Sequence, residues 1–265
     1  MENAKVIVVG AKGRMGSLIC DILKDSAKHQ VDLIKVDSDI TVSYSKEVRS
    51  LDLVSKFVSK GETLLLIDFT NPRCAVNSAE FCQLMEVPLV VGTTGLKEDD
   101  LEVFEQASQV IPIVLAPNMS LGMNLMFKVV ALMAELLGPD YDLEVLELHH
   151  RKKKDAPSGS AMKLGAALAE TRNGTIEEVG KFHRQGMIGE RTQDEIGMQT
   201  IRGGDIVGEH RVFFCGPGER LELTHMVQDR ITFAKGAVVA AEWLLTERPK
   251  PGIYGMDAVL GLAEE

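Results

Sequence analysis

Residues 149–154 read His-His-Arg-Lys-Lys-Lys, and residues 157–160 read Pro-Ser-Gly-Ser. Histidine exchanges a proton near neutral pH, and a lysine among other cations can do so if its pKa is lowered. This loop holds two of the six histidines and four of the 29 basic residues in a chain of formal charge −10. Six ionisable side chains in a row cannot all be buried, because an unpaired interior charge is too costly. Pro-Ser-Gly-Ser then suits the opening of a helix. Its hydroxyls and unpaired backbone N–H groups form a ready site for an anion such as a carboxylate. The apolar residues Leu143, Val145, Leu146 and Leu148 predict a buried strand leading in. Residues 161–170, rich in alanine and without breakers, predict a helix leading out. A strand-to-helix connection is where a scaffold presents side chains to a ligand. A lone basic loop is usually a solvated surface; histidines, lysines and a helix start converging on one loop favour a site.

A second constellation lies at the start of the chain. Residues 5–9, Lys-Val-Ile-Val-Val, are a short β-branched run of the kind that forms a buried parallel strand. Gly10-Ala11-Lys12-Gly13-Arg14-Met15-Gly16 follows, and then a helical pattern with Met15, Leu18, Ile19, Ile22 and Leu23 on one face. Strand, glycine turn and helix together form a dinucleotide-site context. Gly10 allows a tight turn, Gly13 a close approach of backbone to pyrophosphate, and Gly16 close helix–strand packing. A second strand is expected over 31–36, ending at Asp37, 21 residues beyond Gly16. A carboxylate at that distance accepts hydrogen bonds from an adenosine ribose diol and repels a 2′-phosphate. No arginine follows; the next residues are Ser38, Asp39 and Ile40. The expectation is NADH in preference to NADPH, with Lys35 as the nearest cation in sequence.

Further strands are expected over 62–69, 87–91 and 111–115, with helices over 77–85 and 99–107. The turns Gly92-Thr93-Thr94 and Ala116-Pro117-Asn118-Met119 close two of these strands, where ligands of parallel sheets bind. Regular alternation of strand and helix predicts an α/β, doubly wound parallel sheet. After Ser120 the pattern changes. A long helical stripe from Leu121 to Leu137 ends at Gly138-Pro139, and its methionines 123, 126 and 133, with Met119, read as core filling. From residue 180 the alternation reads as antiparallel, with strands over 197–201, 206–215 and 220–227, so a second domain is expected. A final helix over 232–246 follows. His183, His210 and His225 stand alone and read as structural or surface histidines; His29 has no chemical company.

A hydrophobic fraction of 45% and a charged fraction of 26% are those of a globular chain with a sizeable core. An acidic balance argues against nucleic-acid binding. No apolar run approaches the roughly 18–20 residues of a membrane span, and no signal peptide opens the chain. Cys20, Cys74, Cys82 and Cys215 are scattered, with no zinc spacing, so reduced thiols, no metal and a cytoplasmic location are expected.

Read together, Glu144-x-x-Glu147-x-His149-x-x-x-Lys153-x-Asp155-x-Pro157-Ser158-Gly159-Ser160-Ala161 resembles the signature of the 4-hydroxy-tetrahydrodipicolinate reductase family of lysine (diaminopimelate) biosynthesis. Ser160 departs from it, since the family usually carries threonine there; both supply a hydroxyl and an N–H. The glycine turn resembles the family's as well, and so does 116–119, where phenylalanine usually replaces Met119. The resemblance implies NAD(P)H-dependent reduction of a ring dicarboxylate. It implies His149 as proton donor and acceptor, Lys153 as general acid, His150 as a substrate contact, and Gly159 and Ser160 as holders of a substrate carboxylate. Cofactor contacts are implied at Gly10, Ala11, Lys12, Gly13, Arg14, Met15, Asp37, Gly92, Thr93, Thr94, Ala116, Pro117, Asn118 and Met119. It further implies a Rossmann-type domain over 1–119 and 228–265, an inserted α+β domain over 120–227 for substrate and assembly, and a homotetramer. Two other readings stay open at this point. One is another hydride-transfer enzyme, such as a homoserine or aspartate-semialdehyde dehydrogenase. The other is a nucleotide-sensing regulator, which leaves the basic loop without a purpose.

Overall fold

The computed structural model describes residues 4–25, 31–37, 41–44 and 63–263. His29, Ser38, Asp39, Ile40 and Glu62, on which some expectations fell, lie outside the described residues. The fold divides into two units, Met1–Leu121 with Ile231–Glu265, and Gly122–Arg230.

In the first unit, Lys5–Val9 forms β1. Val6, Ile7, Val8 and Val9 are all buried, as a strand covered on both faces requires. Around it lie β2 (Asp32–Asp37), β3 (Thr41–Tyr44), β4 (Leu64–Asp68), β5 (Leu89–Val91) and β6 (Pro112–Leu115), with β12 (Gly252–Tyr254) from near the chain end. The sheet order is β12-β6-β5-β4-β1-β2-β3. All pairs are parallel except β2 with β3, an antiparallel edge that the sequence pattern did not suggest. Val6 and Val8 face α1 (Arg14–Asp25) and α7 (Ile231–Glu247). Ile7 and Val9 face α2 (Pro72–Met85) and α3 (Glu98–Ala107). Helices on both faces of a parallel sheet are the doubly wound arrangement expected. α2 begins five residues before the expected 77. Pro72 occupies its first turn, where a missing N–H costs nothing, and the Asn71 side chain caps Cys74 N at 3.2 Å.

The second unit is built on β7 (Asp142–His149), β8 (Gly180–Lys181), β9 (Ile196–Arg202), β10 (Gly208–Gly216) and β11 (Glu219–Val227). The order is β11-β10-β7-β9-β8. The expected antiparallel reading is corrected here, because β9 runs parallel to both β7 and β8. The chain between β7 and β9 carries α5 (Gly159–Glu170) and α6 (Ile176–Val179), and such a crossover returns the chain in the same direction. Only β10 and β11 form a hairpin, and β7 separates β9 from β10. One sheet face packs on α4 (Leu121–Leu137) and α5 through Met123, Phe127, Val130, Leu164 and Leu168 against Leu143, Val145, Val212 and Phe214. The other face carries Leu146, Leu148 and Phe213, all partly exposed, with Ile201 and Met226 about half exposed.

Candidate active site

β7 buries alternate residues, so Leu143, Val145, Glu147 and His149 share its helix-covered face. The first two pack in the core and the last two are polar, so core gives way to chemistry at the strand's carboxyl end. Glu147 is fully buried. Arg202 forks onto both of its oxygens, at 2.9 and 2.8 Å. Ser158 N and Thr200 Oγ1 donate to Oε1, each at 3.1 Å, and His149 Nδ1 contacts Oε2. Burial alone would raise the Glu147 pKa. The hydrogen bonds and charges of His149 and Arg202 outweigh burial and hold the carboxyl down to about 2.

His149 is also buried, and its ring meets His210 edge to face with centroids 5.2 Å apart. His210 Nε2 lies 3.1 Å from Ser158 Oγ, while that oxygen accepts from Ala161 N at 3.2 Å and caps α5. Burial, then the nearby His149, push His210 down to about 3 against the charge of Glu147, so it stays neutral. Its Nδ1, like that of His150, is buried without a hydrogen-bond partner among the described residues. The expectation of His210 as an isolated histidine is corrected: strand register places it opposite Glu147 and His225. His183 is exposed and bonds Gln185.

The loop beyond His149 is tied to the turn after β9. Gly203 N donates to His149 O at 2.9 Å, Arg151 N to Gly204 O at 3.2 Å, and Arg202 to Asp155 O at 2.6 Å. Lys153 is partly buried, and its Nζ lies 2.9 Å from Asp155 Oδ2, so its nearest charge is an anion and not another cation. Arg151, Lys152 and Lys154 are exposed. Gly159 stands exposed at the start of α5, and nothing lies within 4 Å of where its Cβ would be. Thus His149, Lys153 and the α5 start share one unit and one loop. Glu147 stood in the sequence motif without a role. Nothing near Thr200 or Arg202 in sequence signalled the buried carboxylate that collects them, nor near His210 its place beside Ser158 and His149.

The dinucleotide candidates lie at the carboxyl edge of the first sheet. Gly10 has φ +80°, and a Cβ there would lie 2.8 Å from Thr70 Cγ2. A Cβ on Gly16 would fall 2.1 Å from Gly10 O, so only glycine lets α1 pack onto the turn. Lys12, Gly13 and Arg14 are exposed there, and Ala11 is buried. A tight glycine cradle opening a helix, with Asp37 ending β2, the neighbouring strand to β1, fits a dinucleotide's pyrophosphate and ribose. Asp37 is met by Lys12, Nζ to Oδ2 3.3 Å. Lys35 instead lies toward α1, where Lys24 beside it and burial lower its pKa. Thr93 is buried and donates to Asp68 Oδ1 at 2.8 Å, and Thr94 is exposed. Asp68 also accepts from Thr70 N and Oγ1 and from Ser78 Oγ. Burial raises the Asp68 pKa against these bonds. Asn118 Oδ1 accepts from Ser120 N, and Pro117 is exposed. Ala116 and Met119 are buried, with the Met119 side chain in the core of the first unit.

Residues 4–119 match the family model described as dihydrodipicolinate reductase, N-terminus, and residues 122–260 match its C-terminus. A 4-hydroxy-tetrahydrodipicolinate reductase of Geotalea uraniireducens is 42% identical over 266 residues, covering 97% of this chain and 99% of that protein. The protein of that name from Syntrophus aciditrophicus is 42% identical over 267 residues, covering 97% and 98%. Among solved structures, the dipicolinate-bound dihydrodipicolinate reductase of Paenisporosarcina sp. TG-14 shares the fold. Its TM-score is 0.66 at 21% identity, over 96% of this chain and 97% of that one.

Proposed function

The chain belongs to the dihydrodipicolinate reductase family and reduces 4-hydroxy-tetrahydrodipicolinate with NAD(P)H; we propose that the chemistry is carried by the loop 149–160. The observation that carries this assignment is the convergence on that loop of a buried imidazole, a partly buried ammonium and an open helix start. When bound, the nicotinamide supplies a hydride to the substrate ring. His149 exchanges a proton with the ring through Nε2, because Nδ1 is engaged by Glu147. Lys153 is the general acid, held in reach by Asp155 and by the bond from its own N–H to His150 O. Gly159 and Ser160 receive one substrate carboxylate at the start of α5, and His150 contacts the substrate beside them. Lys152 and Lys154 add positive potential.

The dinucleotide is held by the first unit, through residues 10–15, Asp37, 92–94 and 116–119. The glycine cradle and the carboxylate at the end of β2 support this reading. NADH is the preferred form, with Lys12 beside Asp37 reducing the margin. The second unit binds substrate and assembles the homotetramer through its uncovered sheet face, where Ile201 and Met226 stand about half exposed. No described helix is long and apolar enough to cross a membrane, and none of the four cysteines forms a disulfide, which supports a cytoplasmic location. Following NADH oxidation with freshly prepared substrate tests the activity directly.

A further inference from the structure

Glu147 and His149 stand two residues apart on β7 and so point the same way. Among the described residues, the Glu147 carboxylate is met by donors. Arg202 supplies two bonds, the Ser158 backbone and Thr200 hydroxyl one each, and His149 Nδ1 completes the set. An ionised carboxylate only accepts, so the ring nitrogen against it carries its hydrogen. The orientation of the ring is then fixed, and Nε2 is the nitrogen left for chemistry. The other side of the imidazole agrees. Gly208, opposite His149 on β10, would bring a Cβ to 3.1 Å from Nε2, so glycine keeps that nitrogen unobstructed.

We propose that Glu147 is the positioning residue of the reaction: clamped by Arg202, Ser158 and Thr200, it holds His149 by Nδ1–H and presents Nε2 as the atom that exchanges the proton. Arg202 matters because its planar fork fixes both carboxylate oxygens at once, and its bond to Asp155 O ties the same clamp to the loop that carries Lys153. When Nε2 takes up a proton during turnover, the positive charge of the ring is balanced by an anion already in place at Nδ1, as with the orienting carboxylate of a catalytic triad. The inference rests on His149 being the proton-exchanging group.

The test combines steady-state kinetics with the ¹⁵N spectrum of histidine-labelled full-length protein. In the wild type, the neutral His149 ring should give the Nδ1-protonated tautomer; an Nε2-protonated ring overturns the proposal without any variant. Glu147→Gln should lower kcat about 10²-fold with KM for NADH unchanged, and the spectrum should lose the pure Nδ1–H signature. In a His149→Gln background, Glu147→Gln should cost no further activity, because residues acting as a unit are non-additive. A Glu147→Gln protein with kcat within about twofold of wild type, or an additive loss in the double variant, overturns the proposal. If Glu147→Gln fails to fold, Arg202→Lys keeps the charge and loses the fork. It should lower kcat about 10-fold at unchanged KM for NADH, and unchanged turnover overturns the proposal. His149→Gln alone separates the two levels: near-normal turnover there removes His149 from the mechanism, whereas an inactive His149→Gln beside an active Glu147→Gln removes only the clamp.

Discussion

The Nζ of Lys12 lies 3.3 Å from Oδ2 of Asp37, so the residue proposed to read the ribose has a cation from the glycine turn beside it. Asp37 favours a ribose diol and repels a 2′-phosphate, while Lys12 offsets part of that repulsion. Wild-type protein should prefer NADH about fivefold in kcat/KM, or roughly 1 kcal/mol. Lys12→Ala should widen the preference and Asp37→Ala should narrow or reverse it. Equal use of both cofactors by all three proteins would make Asp37 only the end of a strand.

Removing the acid–base groups tests the loop itself. His149→Gln or Lys153→Ala should lower kcat by about 10²–10³ with dinucleotide affinity little changed, as measured by fluorescence titration with NADH. Near-normal turnover in both would take the loop out of the mechanism.

Asp68 collects four hydrogen bonds at the carboxyl end of β4 and ties the Thr70 and Thr93 turns together. Asn has one acceptor oxygen and brings two donors into a ring of donors. Asp68→Asn should cost roughly 1–3 kcal/mol of stability and raise KM for NADH while leaving substrate KM unchanged. Equal rises in both KM values would disconnect Asp68 from the cofactor turns.

Two depressed pKa values make the second unit acid-sensitive, in windows that overlap only below about pH 4.5. His210 titrates at about 3 when folded, against an ordinary value of 6.5. Between those values the unfolded chain binds the extra proton, so stability falls as pH drops below about 6.5, at up to ~1.4 kcal/mol per pH unit. Glu147 is held to about 2 against 4.5, so its contribution is intact above about 4.5 and is lost as pH falls toward 2. Urea unfolding of His210→Asn should show a flatter slope than wild type between pH 6.5 and 4.5. An unchanged slope would mean that His210 takes up a proton in the folded protein.

The uncovered face of the second sheet predicts assembly. Light scattering at micromolar concentration should report a tetramer, and Met226→Lys with Ile201→Lys should shift it toward smaller species. A wild-type monomer would count against that face as an interface.

Local spacing makes much of the candidate site readable in the sequence. The glycine turn, Asp37 and the 149–160 loop each occupy a contiguous segment whose residue types carry their own chemistry. What stayed hidden depends on strand order. Arg202 and Thr200 reach Glu147 only because β9 lies beside β7 in parallel, and His210 meets the His149 ring only because β10 lies on the other side. The alternation in 197–227 was visible, but alternation carries no direction, so parallel β9 read as antiparallel. The pairing of Lys12 with Asp37 likewise depends on β2 lying next to β1.

β12 and α7 come from the far end of the chain, yet both complete the first sheet and its core. During synthesis, residues 122–230 leave the ribosome as one contiguous block able to close its own sheet. The first unit, although begun earlier, must wait with one face of β1 and β4 covered only in part, by α1, until α7 emerges. The order of birth and the order of completion are therefore reversed. The segment most exposed to premature aggregation is the amino-terminal half of the glycine-turn sheet, and not the 149–160 loop.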